Sequence, residues 1–165
     1  MPRLARLMAV ERIRALTLSD EIKTANIEMQ RIGLDPGKLD ANQPQMDWGL
    51  RHGTTNVAIA RWLVRARRAK RALDFVDLAE ENAIRGGQLL SLAKLRVIRA
   101  QAHLQLNGRS DATSALLSSI RLLGKQPFRR FILDEGLSLQ PVVQAALDGE
   151  RVKVREKEVV CGGLA

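Results

Sequence analysis

The chain has 165 residues, 45% of them hydrophobic, which is enough for one domain with a core, and 27 Lys and Arg against 18 Asp and Glu give a formal charge of +9. With no tyrosine, three phenylalanines and two tryptophans, the core must be made of Leu, Ala, Ile and Val, which suits close helix packing and disfavours sheet. One cysteine, Cys161, excludes an internal disulfide and a paired-thiol zinc site, no apolar run approaches the roughly 20 residues needed to span a bilayer, and Arg3, Arg6, Arg12 and Arg14 interrupt any signal-peptide core, so a cytoplasmic chain without a membrane segment is expected.

Residues 2–16 begin with Pro at a helix start and place Leu4, Leu7, Met8 and Ile13 at roughly helical spacing. Ser19 or Asp20 can cap a second helix running to Ile32, with Ile22, Ala25, Met29 and Ile32 on one face and Gly33 at its C-terminal end. Residues 34–53 hold Pro36, Gly37, Asn42, Pro44, Gly49 and Gly53, and read as a long connection with a helical turn around 46–50 anchored by Trp48. Within it, Gly33-Leu34-Asp35-Pro36-Gly37-Lys38-Leu39 resembles a phosphate-binding loop only superficially. Successive amides that curl round a phosphate need four residues between the glycines, and magnesium needs a hydroxyl after the lysine; here the spacing is shorter and Leu39 follows. An Asp-Pro-Gly turn after a helix explains the same residues.

Two helical hairpins follow, 54–66 with 68–85 and 88–106 with 110–123, divided by Gly86-Gly87, the second joined through Asn107-Gly108 and capped by Ser110 or Asp111. The helix from 88 to 106 carries two apolar stripes nearly opposite each other. Leu90, Ala93, Val97, Ala100 and Leu104 form one, and Leu95, Ile98, Ala102 and Leu106 the other. A surface helix needs a single stripe, so this one is expected to be covered on two sides, as in an array where each helix packs against its own partner and a neighbour.

The hairpins fit the tetratricopeptide pattern. Asn56, Ile59, Ala60 and Leu63 fall at its first-helix positions and Ala72, Val76 and Ala79 at its second-helix positions, with only Asn56 discordant. In the next unit the equivalents are Val97, Ala100, Gln101 and Leu104, then Thr113, Leu117 and Ile120. From Ala72 to Thr113 is 41 residues, against about 34 in that repeat. The expected fold is therefore all-α, with antiparallel helical hairpins stacked as a TPR-like solenoid over residues 1–149; a compact helix bundle is the alternative. A short apolar helix from 138 or 139 to 147, carrying Leu139, Val142, Val143, Ala146 and Leu147, would close the end of the array.

Between the last hairpin and that short helix stands Phe131-Ile132-Leu133-Asp134-Glu135-Gly136, preceded by Arg129, and near the C-terminus Arg155-Glu156-Lys157-Glu158-Val159-Val160. Together with the degenerate hairpins, these segments resemble the MalT-like branch of the LuxR-type transcriptional regulators. In that family a helical sensor array ends in an Arg-x-Phe-hydrophobic-Asp-Glu-Gly segment, matched by 129–136 with one extra residue, and a helix-turn-helix domain follows. Departures lie at Lys153-Val154, where the family has Thr-Pro, and at Gly162-Gly163, where apolar residues are usual. The resemblance implies that residues 1–149 are the sensor and interaction portion of such a regulator and that 150–165 begin a truncated helix-turn-helix domain. It further implies that the nucleotide-binding switch of the STAND type and the base-reading helix lie outside this chain, an excised segment or a truncated reading frame. No cofactor is expected in the chain.

On this reading the inner face of the array receives an inducer or another part of the regulator. The repeat alignment assigns that face to Val57, Arg61, Val64 and Arg65 in one hairpin and Leu95, Ile98, Ala102, Gln105 and Leu106 in the next. An apolar floor flanked by Arg61 and Arg65 suits a small organic anion or an amphipathic segment. Residues 2–32 or the capping helix packing into the same place would equally satisfy these side chains. A second possibility is nucleic-acid binding by the basic run Arg61, Arg65, Arg67, Arg68, Lys70 and Arg71 with Arg96 and Arg99, although aromatic residues for stacking are scarce. The run also straddles a helix end, where cations are ordinary. Enzyme activity is not expected: His52 falls in a loop, His103 on a polar stripe, and Asp134-Glu135 are sequence neighbours better suited to capping or ion pairing.

Overall fold

The structure is a computed structural model that describes residues 3–34, 54–124 and 139–144. Its helices are α1 (Arg3–Leu18), α2 (Ile22–Arg31), α3 (Thr54–Arg65), α4 (Ala69–Arg85), α5 (Leu89–Gln105) and α6 (Arg109–Leu123), followed by a short helical segment at 139–144. No strand occurs among the described residues. The expected helix bounds hold to within two residues. The connecting segment with Trp48, most of the Gly33–Leu39 motif, the 129–136 and 155–160 matches and the tail 150–165 lie outside the described residues.

Four joints turn one helix into the next with the same backbone geometry. Asp20 (φ 64°), Arg67 (φ 60°), Gly87 (φ 63°) and Asn107 (φ 61°) each sit in the left-handed region directly after a helix. At each, two amides reach back to close the helix end: Glu21 N to Leu16 O (2.9 Å), Arg68 N to Leu63 O (2.9 Å), Gln88 N to Ala83 O (2.8 Å) and Gly108 N to His103 O (2.9 Å), with a shorter-range bond from the residue before. This is the Schellman closure, which satisfies last-turn carbonyls. The residue after it, at φ −81° ψ 58° for Glu21, φ −88° ψ 67° for Gln88 and φ −83° ψ 69° for Gly108, already serves as the N-cap of the following helix. Those angles are an inverse γ-turn, and Ile22 N to Asp20 O, Leu89 N to Gly87 O and Arg109 N to Asn107 O close it.

These joints correct the expected caps. Neither Ser19 nor Asp20 caps α2, whose N-cap is Glu21 without a side-chain bond, and α6 starts from Gly108, placing Ser110 and Asp111 inside its first turn. A closure that spends only one residue between two helices leaves no room for a separate capping side chain. Asp111 instead sits where a negative charge complements the helix dipole.

Aligning the chain on the joints gives one register for three hairpins. Five residues after Asp20, Arg67 and Asn107 stand Ala25, Ala72 and Ala112, all fully buried. Ten residues before them stand Val10, Val57 and Val97, also buried. The buried positions of α4 (Ala72, Phe75, Val76, Ala79, Ala83) recur in α6 as Ala112, Ala115, Leu116, Ser119 and Leu123, a repeat of 40 residues. In α2 the counterparts Ala25, Glu28 and Met29 are buried as well. The expected offset of 41, which paired Ala72 with the half-buried Thr113, is thus one residue too long, and the first hairpin matches better than its sequence alone suggests.

Each first helix packs on its hairpin partner, and α1, α3 and α5 touch in series, α3 lying against both of the others. Ten successive residues of α3, from Thr55 to Val64, are buried, so this helix is enclosed on every side. One core cluster gathers Val10 and Ile13 of α1, Ala25 and Met29 of α2, the apolar residues of α3, and Leu92, Leu95, Ile98 and Ala102 of α5. A second joins the opposite stripe of α5, Ala93, Val97 and Ala100, to α6 and to Leu139 and Val142 of the short segment. The two stripes of α5 therefore have two different covers, as their spacing predicts.

Because Ala112 is sealed at 0% exposure against α5, Ala112→Leu is expected to cost about 1–3 kcal/mol of overpacking. Arg67 carries a side chain in a conformation that disfavours one, so Arg67→Gly should gain about 0.5–1 kcal/mol, the left-handed penalty less the added unfolded-state freedom. Urea unfolding of the two variants reads both signs.

Candidate functional site

The residues expected to line an inner groove do come together, along the contact of α3 with α5, but nothing of a groove is open there. Val57, Val64, Leu95, Ile98 and Ala102 all belong to the first core cluster and are buried. Arg61 is buried at 4% exposure, and Arg65 and Gln105 are half-buried. Leu106 alone of the set is exposed. The physical reason is the order of packing: α3 lies directly on the Leu95, Ile98 and Ala102 stripe, and α1 lies on α3. The cover that the stripe demands is supplied by the chain itself.

Gln105 has a structural task at that seam. Its side-chain Nε2 donates to the carbonyl of Val64 at 2.8 Å, a last-turn oxygen of α3 that the Arg67 amide also approaches at 3.0 Å. One side chain of α5 thereby fixes the end of α3, an arrangement that sequence spacing cannot foretell because the two residues are 41 apart.

The basic run divides. Arg61 points into the core, while Arg67, Arg68 and Lys70 are exposed and Arg65 and Arg71 half-buried around the α3–α4 joint. Arg68 places its guanidinium carbon 5.3 Å from the centroid of the Trp62 ring, a cation–π contact at the helix end. These cations follow the C-terminus of α3, where the helix dipole favours them.

Arg96 and Arg99 are engaged in a buried-edge network between α4, α5 and α6. Arg99 reaches Asp77 at 2.6 Å through Nη2 and donates from Nε to Glu80 at 3.1 Å; Arg96 lies 3.9 Å from the other Glu80 oxygen and donates to the carbonyl of Ser118 at 3.3 Å. Glu80 is 13% exposed at its side chain. Burial pushes its carboxyl above the ordinary value of 4.5, and the neighbouring Arg99 and Arg96 only partly offset that cost. In the same layer Ser119 Oγ donates to the carbonyl of Ala93 at 2.8 Å. Sequence reasoning placed Arg96 and Arg99 in one polar gap of α5; the acids at Asp77 and Glu80, one helical turn apart on α4, are the signal that pairs them.

His103 lies 4.0 Å from Asp111 across the α5–α6 joint, a contact within the hairpin rather than part of a reacting constellation. Among the described residues no group of His, Cys, Asp and Glu could hold a metal ion, and no helix is long and apolar enough to cross a membrane. No protein family, curated protein or solved structure matches the chain.

The raised titration of Glu80 sets a sign. The folded state holds this proton more tightly than the unfolded chain, so the contribution of Glu80 is most favourable below 4.5 and is lost as pH rises through its folded value. Glu80→Gln removes that dependence while keeping an oxygen for Arg99. Chemical denaturation from pH 4 upward should show the parent losing stability relative to Glu80→Gln as pH rises; a constant difference contradicts the assignment.

Proposed function

We propose that this chain is a helical-repeat interaction scaffold, its hairpins stacked in the TPR-like manner, and that it serves as the sensor and interaction portion of a MalT-like LuxR-type regulator. The observation that carries the scaffold reading is the common register of three hairpins: the same joint, the same buried alanine five residues beyond it and the same valine ten residues before it. A chain selected only to close one globule has no need to repeat a joint and its packing positions, whereas an array needs each unit to present the same surface to the next. The row α1, α3, α5 fits such stacking. The regulator reading adds the Arg129-to-Gly136 segment and the 155–160 match.

The closed α3–α5 seam changes how a sensor of this kind works. An inducer or partner segment engages outer surfaces of the helices, because the Leu95, Ile98 and Ala102 stripe is already occupied by α3. DNA binding belongs to a helix-turn-helix domain beyond this chain, and Arg61, Arg96 and Arg99 are committed to the fold rather than to phosphates.

In an array, each unit depends chiefly on its neighbours. A chain beginning at Thr54 should therefore keep the helical circular dichroism of α3 to α6 and unfold cooperatively at a lower urea concentration. Complete loss of helix on removing 1–53 contradicts the stacked-repeat reading and favours a closed bundle. The regulator assignment has a separate check in the gene: sequencing the reading frame on both sides should reveal a nucleotide-binding segment upstream and a helix-turn-helix downstream, and flanks that code for neither contradict it.

A further inference from the structure

The three hairpins share a register, yet their first helices are not equally covered. Twelve residues before the joints stand Met8, Thr55 and Leu95; five residues before them stand Ala15, Trp62 and Ala102. In α3 and α5 these positions are buried, whereas in α1 Met8 is 64% exposed and Ala15 is exposed. Leu4, one turn before Met8 on the same face, is 70% exposed. The face by which α5 receives α3 thus continues, uncovered, on the outer side of α1. The opposite end of the row is closed: Leu139 and Val142 are buried against the Val97 and Ala100 stripe of α5.

From this asymmetry and the charge around it we infer that the outer face of α1 is a docking seat for an acidic amphipathic helix from another protein segment. The inference needs the register of the hairpins and does not depend on the regulator reading. The seat has an apolar line, Leu4, Met8 and Ala15, at the positions that take a helix elsewhere in the fold. The helix bearing it holds Arg3, Arg6, Arg12 and Arg14 against one acid, Glu11, which is already bridged by Arg14 at 2.7 Å. Arg12 remains 60% exposed at its side chain while touching Glu28 at 3.5 Å. Two copies of so basic a helix repel, and the sealed end at Leu139 offers no face for head-to-tail stacking, so a second copy is disfavoured. A helix with valine, alanine and valine at the spacing of Val57, Ala60 and Val64 supplies the complementary ridge, and flanking glutamates meet the arginines.

The test uses the full chain and a designed fluorescent peptide with that Val/Ala/Val stripe between glutamates, alongside a twin carrying lysines instead. Anisotropy titration should give saturable binding of the acidic peptide and at least tenfold weaker binding of the twin. Met8→Glu should weaken the acidic peptide at least tenfold. Ile27→Glu, the same charge change at a residue 63% exposed on α2, should leave it within twofold, with circular dichroism confirming that both variants fold. Equal losses from the two variants would mean attraction to net charge alone, and concentration-dependent self-association in the ultracentrifuge abolished by Met8→Glu would mean a second copy; either result overturns the inference, as does absence of binding.

Discussion

Enclosure of α3 is the constraint on which the rest of this molecule depends. Ten consecutive buried residues leave that helix no solvent face, so every direction around it must be filled. A helix covered so completely gains from each apolar contact, at roughly 25 cal/mol per Å² of apolar surface removed from water. It also sets the positions of α1 and α5, which lie against it, and through α5 those of α6 and the 139–144 segment. Polar residues inside this enclosure, Thr55, Asn56 and Arg61, are held with partners rather than left to repel the core.

The joints make that enclosure reachable. A left-handed residue followed at once by an N-cap brings successive helices back antiparallel within one short turn, and its recurrence at Asp20, Arg67, Gly87 and Asn107 gives the hairpins equal phases. Equal phase is what lets Ala25, Ala72 and Ala112 serve the same close approach. The polar network is laid on this frame: Arg99 spans Asp77 and Glu80, and Gln105 ties the end of α3 to α5. Desolvating Glu80 works against these ion pairs, consistent with a network that fixes helix positions more than it adds stability.

Much of the architecture was readable from residue spacing, and the misses have physical causes. Helix bounds came from periodicity and from Gly33, Gly87 and Asn107. The capping roles given to Ser19, Asp20, Ser110 and Asp111 were wrong because preference for polar caps says nothing of a closure in which one helix ends where the next begins. Matching side-chain types chose Thr113 as the partner of Ala72; matching backbone joints gives Ala112. The candidate site was the least legible part. Two stripes on α5 show that two covers exist, but periodicity cannot say whether a cover is a ligand or another helix of the same chain, and here α3 is the cover. The exposed line of Leu4, Met8 and Ala15 became visible only when burial was compared across equivalent positions.

Hydrogen exchange followed by mass spectrometry tests the enclosure of α3 most directly. Peptides covering 54–65 should be the slowest to exchange in the protein, protected along their whole length and released only with global unfolding. Fast or one-sided exchange in that helix, with α5 protected independently of it, would contradict an array organised around a central covered helix.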